Sequence, residues 1–252
     1  MERYAGIDLG SRTVKLVVVD TDGGMLESRR TDTGFDPLAQ AEQLLAADGY
    51  QVILATGYGR GLFEVARDAP TVTEIKAHAR GAAALFPGAR AILDIGGQDV
   101  KAIALNGDGR VKKFEMNDRC AAGTGKFLEI MAKTLGYGIE DFGRAALETT
   151  EDINISSMCT VFAESEVTSL IAKSVSRQAI ARGLHLSVVK RVAAMLGRVS
   201  ADGPVVFTGG AAKNLGLRTL LAQKLGRELL VPDDPQATGA LGAALLAVEQ
   251  GG

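Results

Sequence analysis

The order of apolar and polar residues along the chain predicts alternating strands and helices. Apolar runs of strand length occupy residues 4–8, 14–19, 52–55, 205–208 and 229–231. Segments with apolar residues at helical spacing, or rich in small residues, occupy 74–86, 121–135, 160–174, 177–199 and 235–248. This alternation predicts an α/β fold.

The opening pattern occurs twice. Residues 7–20 read IDLGSRTVKLVVVD and residues 93–106 read LDIGGQDVKAIALN, and each copy precedes a glycine-containing turn. The repeat predicts an internal duplication into two similar domains, residues 1–89 and 90–252. It leaves open that the C-terminal helix packs back on the first domain.

Composition narrows the class of protein. The 252 residues include 28 Lys+Arg and 30 Asp+Glu, and this near balance argues against a nucleic-acid partner. No apolar run approaches the roughly 18 to 20 residues of a membrane span, and the first residues lack the zones of a signal peptide. We therefore predict a cytoplasmic protein with no membrane partner. The unusual features are 31 glycines and only two cysteines.

Both copies of the repeat place an Asp at a strand end, just before a glycine turn. Such turns expose successive N–H groups that bind anions, and the carboxylates, Asp8 and Asp94, suit Mg²⁺ that keeps its waters. With Gln98 they are the candidate catalytic residues. Ordinary hairpin turns are the alternative, and the duplication favours a phosphate site. The candidate phosphate ligands are Gly10, Ser11, Arg12, Thr13 and Lys15 in the first copy and Gly96, Gly97 and Lys101 in the second.

A third motif is a strand that runs into a Gly-Gly turn before a helix, where exposed N–H groups meet ligands. Its candidate nucleotide contacts are Gly209, Gly210, Ala211 and Asn214. Gly239 and Gly242 fit two alternatives, a surface for the base or close helix packing. Residues 123–126, GTGK, differ from a P-loop because Cys120 and Phe127 stand where Gly and Ser or Thr are needed.

The two cysteines each precede a predicted helix. A helix N-terminus favours the thiolate form, which suits a metal ligand. Two cysteines are half of the four that a [4Fe–4S] cluster commonly uses, and a two-fold homodimer supplies the other half. Buried apolar cysteines, a pair of zinc ligands or a reactive thiol remain alternatives for Cys120 and Cys159.

Together these motifs resemble the ATP-dependent activators of 2-hydroxyacyl-CoA dehydratases, a family that includes ATPase subunits of benzoyl-CoA reductase. The resemblance covers nearly the whole chain. Its cysteine motifs are specific, whereas its phosphate motifs are shared across the actin, hexokinase and acetate-kinase superfamily. The motifs are GIDLGSRTVK (6–15), LATGYGR (54–60), DIGGQDVKAI (94–103), MNDRCAAGTGKFLE (116–129), MCTVFAESEV (158–167), VVFTGGAAKN (205–214) and GALGAALLA (239–247).

The resemblance implies a homodimer of subunits with two actin-like, ribonuclease H-like domains and ATP between them. It implies one [4Fe–4S] cluster, held by Cys120 and Cys159 of each subunit. An electron from ferredoxin or flavodoxin would pass, at the expense of ATP and at very low potential, to an iron–sulfur dehydratase or reductase partner. We further hypothesise that Glu164 or Glu166 links nucleotide state to the cluster; a surface carboxylate favoured by the helix dipole is the alternative.

Two other function classes remain open on the residues alone. A small-molecule kinase of the same superfamily would share the phosphate motifs, but 252 residues leave little room for a substrate pocket beyond two core domains. An actin-like filament or scaffold protein would make the cysteine pair incidental. The acceptor of the electron also stays open, because nothing in the sequence points to an acyl-CoA site.

Overall fold

The computed structural model describes residues 2–45, 49–155, 159–200 and 202–251. Its strands are β1 (Tyr4–Leu9), β2 (Thr13–Val19), β3 (Met25–Asp32), β4 (Val52–Thr56), β5 (Ala91–Ile95), β6 (Val100–Leu105), β7 (Val111–Asn117), β8 (Val205–Thr208) and β9 (Leu229–Leu230). Its helices are α1 (Pro37–Leu45), α2 (Arg60–Arg67), α3 (Glu74–Leu85), α4 (Gly125–Thr134), α5 (Ile139–Ala145), α6 (Thr160–Ala172), α7 (Arg177–Val199), α8 (Leu215–Leu225) and α9 (Thr238–Gly251), with a 3-10 helix at Gly210–Lys213.

The first compact unit comprises Met1–Ile92, Leu105–Lys112 and Pro232–Gly252. It contains a four-stranded sheet in the order β3-β2-β1-β4, in which β1 is antiparallel to β2 and parallel to β4. Strand β1 is buried along its whole length, because α9 packs on one face and α1 and α2 contribute to the apolar cluster on the other. A central strand buried on both faces reads as a continuous apolar run, which explains why periodicity located it.

The second compact unit comprises Leu93–Ala104 and Lys113–Val231. The five-stranded sheet has the order β7-β6-β5-β8-β9, with β8 parallel to β9. Helices α4, α5, α6 and α8 pack around the long helix α7. In the parts of the chain that the structure describes, no helix combines the length and apolar character of a membrane crossing. The predicted domain boundary at residues 89 and 90 stays a prediction.

Helix α9 packs on α3 through residues without side chains. A Cβ on Gly242 would lie 1.7 Å from the carbonyl oxygen of Ala77, and one on Gly81 would lie 2.1 Å from that of Thr238. Such separations are far below van der Waals contact, so the two helices require glycine here. Of the alternatives for Gly242, the structure supports close packing.

Two differences from the predicted elements have local causes. Helix α4 begins at Gly125 rather than 121, because Gly123 has a φ of +94° and Thr124 is extended, so neither continues a helix. Helices α2 and α5 were not predicted. They have only 8 and 7 residues, too short for helical periodicity to stand out.

The close packing of α9 makes a stability prediction. We expect Gly242→Ala to lower the free energy of unfolding by about 1–3 kcal/mol, because its Cβ must displace backbone. Gly197→Ala is the matched control: Gly197 is exposed in α7 with nothing within 4 Å of an added Cβ, so alanine should stabilise by about 0.5–1 kcal/mol. Urea unfolding of both variants measures the difference, and equal effects would contradict the packing argument.

Candidate functional site

The β1–β2 turn in the first unit is closed over a partly buried ion pair. The N–H of Gly10 donates to the carbonyl of Thr13 at 3.1 Å. Antiparallel register sets Asp8 opposite Lys15, and Lys15 Nζ lies 3.0 Å from Asp8 Oδ2. The lysine charge is therefore engaged by the aspartate from within the same hairpin. The exposed tip of the turn consists of Ser11 and Arg12.

The turn that follows β5 in the second unit repeats this arrangement. The N–H of Gly96 donates to the carbonyl of Asp99 at 2.9 Å, and Lys101 Nζ lies 3.3 Å from Asp94 Oδ2. The side chains of Asp94 and Lys101 are only 4% and 3% exposed, and Lys101 also bonds Asp99. This ion pair joins the strand before the turn to the strand after it. Removing one partner would leave the other as an uncompensated buried charge, so the pair fixes the turn. Gly97 and the exposed Gln98 lie between the bonded residues.

Strand β8 contributes a third part to this second site. Thr208 Oγ1 donates to Asp94 Oδ1 at 2.9 Å, so both carboxylate oxygens of Asp94 have partners. The next residue, Gly209, has a φ of +84°, and a Cβ there would lie 2.3 Å from the Ile95 carbonyl oxygen. The backbone can approach the Ile95 carbonyl this closely only with glycine at position 209.

The first unit has a matching Thr-Gly pair. Gly57 follows β4, has a φ of +94°, and a Cβ on it would lie 2.4 Å from Asp8 Oδ1. Thr56 is buried, and its hydroxyl has no hydrogen-bond partner among the described residues. Sequence reasoning did not assign Thr56, Gly57, Asp99 or Thr208 to the site. A Thr-Gly pair after a buried strand in both halves was the available signal.

The third predicted motif is split between surface and interior. Gly210 is exposed, whereas Ala211 is buried in the 3-10 helix. Asn214 caps α8, because its Oδ1 accepts a hydrogen bond from the N–H of Leu217 at 2.8 Å. Beside it, burial lowers the pKa of His185 to about 4, so this imidazole is neutral at pH 7. The structure thus gives Asn214 a role within the fold, and its contact with a nucleotide stays a prediction.

Both cysteines are reachable from solvent. Cys120 is half-exposed, Cys159 is exposed, and neither forms a disulfide, so the alternative of two buried apolar cysteines is wrong. Cys159 is the N-cap of α6, whereas Cys120 lies five residues before α4 in a loop. Over the described ranges, no group of three or more His, Cys, Asp or Glu side chains could hold a metal ion.

The Cys120 loop is joined to the turn after β5 by two backbone hydrogen bonds. The N–H of Gly125 donates to the carbonyl of Gly96, and the N–H of Lys126 donates to that of Gly97, both at 2.9 Å. These are the first N–H groups of α4, which a P-loop would direct at a phosphate. Here the protein's own carbonyls satisfy them, so GTGK works as an anchor for the turn.

Residues 5–247 match the sequence profile of the BadF/BadG/BcrA/BcrD ATPase family. The chain belongs to this family. It is 42% identical over 252 residues to the activator of lactoyl-CoA dehydratase from Anaerotignum propionicum, covering 97% of this chain and 96% of that protein.

Solved structures agree with membership in the BadF/BadG/BcrA/BcrD family. The activator of the 2-hydroxyisocaproyl-CoA dehydratase from Clostridium difficile, with bound ADPNP, has a TM-score of 0.88 at 38% identity, covering 99% of this chain and 95% of that one. Component A of the (R)-2-hydroxyglutaryl-CoA dehydratase from Acidaminococcus fermentans has a TM-score of 0.92 at 37% identity, covering 100% and 99%.

The predicted actin-like α/β fold is confirmed by these neighbours and by a more distant one. A ROK family glucokinase from Streptomyces griseus has a TM-score of 0.61 at 12% identity, covering 98% of this chain and 99% of that one, a likeness of fold alone. The expected position of ATP between two domains stays a prediction.

Proposed function

We propose that this family member is an ATP-hydrolysing electron-transfer activator. It accepts an electron from ferredoxin or flavodoxin and delivers it to an iron–sulfur partner, a 2-hydroxyacyl-CoA dehydratase or a reductase of the benzoyl-CoA type. The observation that carries the proposal is the pair of backbone hydrogen bonds between the Gly96–Gly97 turn and the segment after Cys120. A phosphate-binding turn and a metal-ligand loop are thereby one mechanical unit.

The two exposed turn tips are the proposed phosphate sites. Backbone N–H groups and the hydroxyls of Ser11 and Thr13 act in the first turn, and Gly97 and Gln98 act in the second. Lys15 and Lys101 pair with Asp8 and Asp94 and so hold these carboxylates in place at the base of each turn. Gln98, the exposed residue of the second tip, orients the attacking water.

Carboxylates are the ligands that Mg²⁺ prefers, and Asp8 and Asp94 fit that ion as acceptors from its bound waters. Both oxygens of Asp94 already accept hydrogen bonds from Thr208 and Lys101, which favours contact through water over direct ligation. Mg²⁺ neutralises charge on the phosphates when bound. The backbone of Gly209, Gly210 and Ala211 is the proposed adenosine side.

The two thiols fit a [4Fe–4S] cluster as half of its ligand set. They are soft ligands, accessible, and without partners in a disulfide, and Cys159 lies at the positive end of a helix dipole, which stabilises an anionic centre. A two-fold homodimer presents the same surface twice and so supplies four thiolates. The cluster supplies one-electron transfer when bound.

Nucleotide state reaches both cysteines through contacts within the second unit. The Gly96–Gly97 turn holds the first turn of α4, which follows Cys120. At the other end of α4, Thr134 Oγ1 lies 3.3 Å from Glu164 Oε1, on the helix that Cys159 caps. This contact supports Glu164, one of the two glutamates that we considered, as the link. A small movement of the turn therefore shifts the loop and the helix that bear the ligands.

Loss of the Asp94 carboxylate charge should disable hydrolysis. We expect Asp94→Asn to reduce ATP hydrolysis about 100-fold, the size typical of losing one preorganised electrostatic group. Lys101 keeps Asp99 as a partner, so the variant should remain folded. Phosphate release measures activity and thermal unfolding checks the fold. Asp108→Asn, at an exposed turn, is the control and should change the rate less than twofold. A fully active, folded Asp94→Asn protein would contradict this site.

Iron content tests the cluster. We expect the protein reconstituted without oxygen to be a brown dimer with about four iron atoms, and both Cys120→Ala and Cys159→Ala to lose that iron. Ser165→Ala, on the same helix as Cys159, is the control and should retain it. Iron analysis and absorption near 400 nm provide the measurement. A colourless protein that phosphorylates a sugar would instead identify a kinase.

A further inference from the structure

Arg191 of α7 lies against the Cys120 loop. Its Nη1 is 3.8 Å from Cys120 Sγ and donates to the carbonyl of Ala122 at 3.3 Å. Gly123 makes room for it, because a Cβ there would lie 2.9 Å from Arg191 Cδ. On the other side, Asn117 Nδ2 donates to the Cys120 carbonyl at 3.0 Å. The guanidinium is thus held at the sulfur by specific contacts.

The charge of Arg191 is used differently from those of two other arginines on the same helix. Arg198 forms a two-point ion pair with Glu115, and Arg182 Nε lies 2.6 Å from Asp152 Oδ1. Within the described residues, Arg191 has no carboxylate within ion-pair distance, and its contacts are with the Cys120 loop. It borders a cavity of about 720 Å³ lined by Ala122, Gly123 and residues 152–155. Its positive charge is therefore directed at the thiol.

We propose that Arg191 tunes the reduction potential of the iron–sulfur centre by donating a hydrogen bond to the Cys120 ligand sulfur. This inference rests on the proposed function. Reduction by ferredoxin or flavodoxin adds one electron and one negative charge at the centre, and no proton is transferred in this step. A guanidinium N–H at the ligand sulfur stabilises the added charge and raises the potential, since hydrogen bonds to sulfur are one determinant of it. In a homodimer each copy contributes one such contact.

The test compares three variants of the full-length protein reconstituted without oxygen. In Arg191→Gln the equilibrium constant for reduction should fall about tenfold, which is about 59 mV for a one-electron couple. Arg191→Lys keeps the charge but cannot reach both the sulfur and the Ala122 carbonyl, so about a threefold fall is expected. Arg198→Gln removes the same charge seven residues along α7, about 10 Å away, and should change the constant less than twofold. EPR-monitored redox titration, with iron analysis of each sample, measures these constants.

The outcomes separate this inference from the function beneath it. If Arg191→Gln binds iron but shifts the equilibrium no more than Arg198→Gln, the role of Arg191 is overturned and the activator function stands. If Arg191→Gln binds no iron, the reduction potential of Arg191→Lys is the deciding measurement. A potential equal to that of the unsubstituted protein would then overturn the role of Arg191. If the unsubstituted protein binds no iron, both the inference and the proposed function fail.

Discussion

Two backbone hydrogen bonds, from Gly125 to Gly96 and from Lys126 to Gly97, are the constraint on which the proposed activity depends. They occupy the N–H groups that a helix leaves open at its start, so α4 is fixed to the turn and not to a ligand. The buried Asp94–Lys101 ion pair holds this turn in place. Any displacement of the turn by a phosphate must therefore move the helix behind Cys120 or break these bonds.

The two duplicated turns differ in their connection to the cysteines, and only the turn after β5 is linked to them. Both units place an Asp, a glycine turn, a Lys and a Thr-Gly pair in the same arrangement. They differ in detail: Thr208 donates to Asp94, whereas the matching Thr56 hydroxyl has no partner among the residues described. Both cysteine segments belong to the second unit. The first turn is therefore proposed only as a phosphate site, whereas the second turn also contacts the segment that follows Cys120.

Local sequence patterns predicted the central strands and the positions of both Asp–Gly turns. The repeat located both Asp–Gly turns, and the apolar runs located the central strands, because strands buried on both faces leave a continuous apolar signal. The register of the first hairpin would have predicted the pairing of Asp8 with Lys15. The sequence analysis instead assigned Lys15 and Lys101 to phosphate binding. The predicted start of α4 was wrong because the pattern of apolar residues does not reveal the positive φ of Gly123. The contact of Arg191 with Cys120 spans 71 residues, and only tertiary packing brings them together.

The most direct test of nucleotide control is the midpoint potential of the cluster with ADP and with the non-hydrolysable analogue ADPNP. We predict that exchanging the nucleotide changes the reduction equilibrium by at least about tenfold, or about 59 mV. We also predict that Gly125→Pro, which removes the N–H donor and sets its ring against the Gly96 carbonyl, breaks this anchor and diminishes that change. Equal potentials with both nucleotides in the iron-loaded protein would contradict the account.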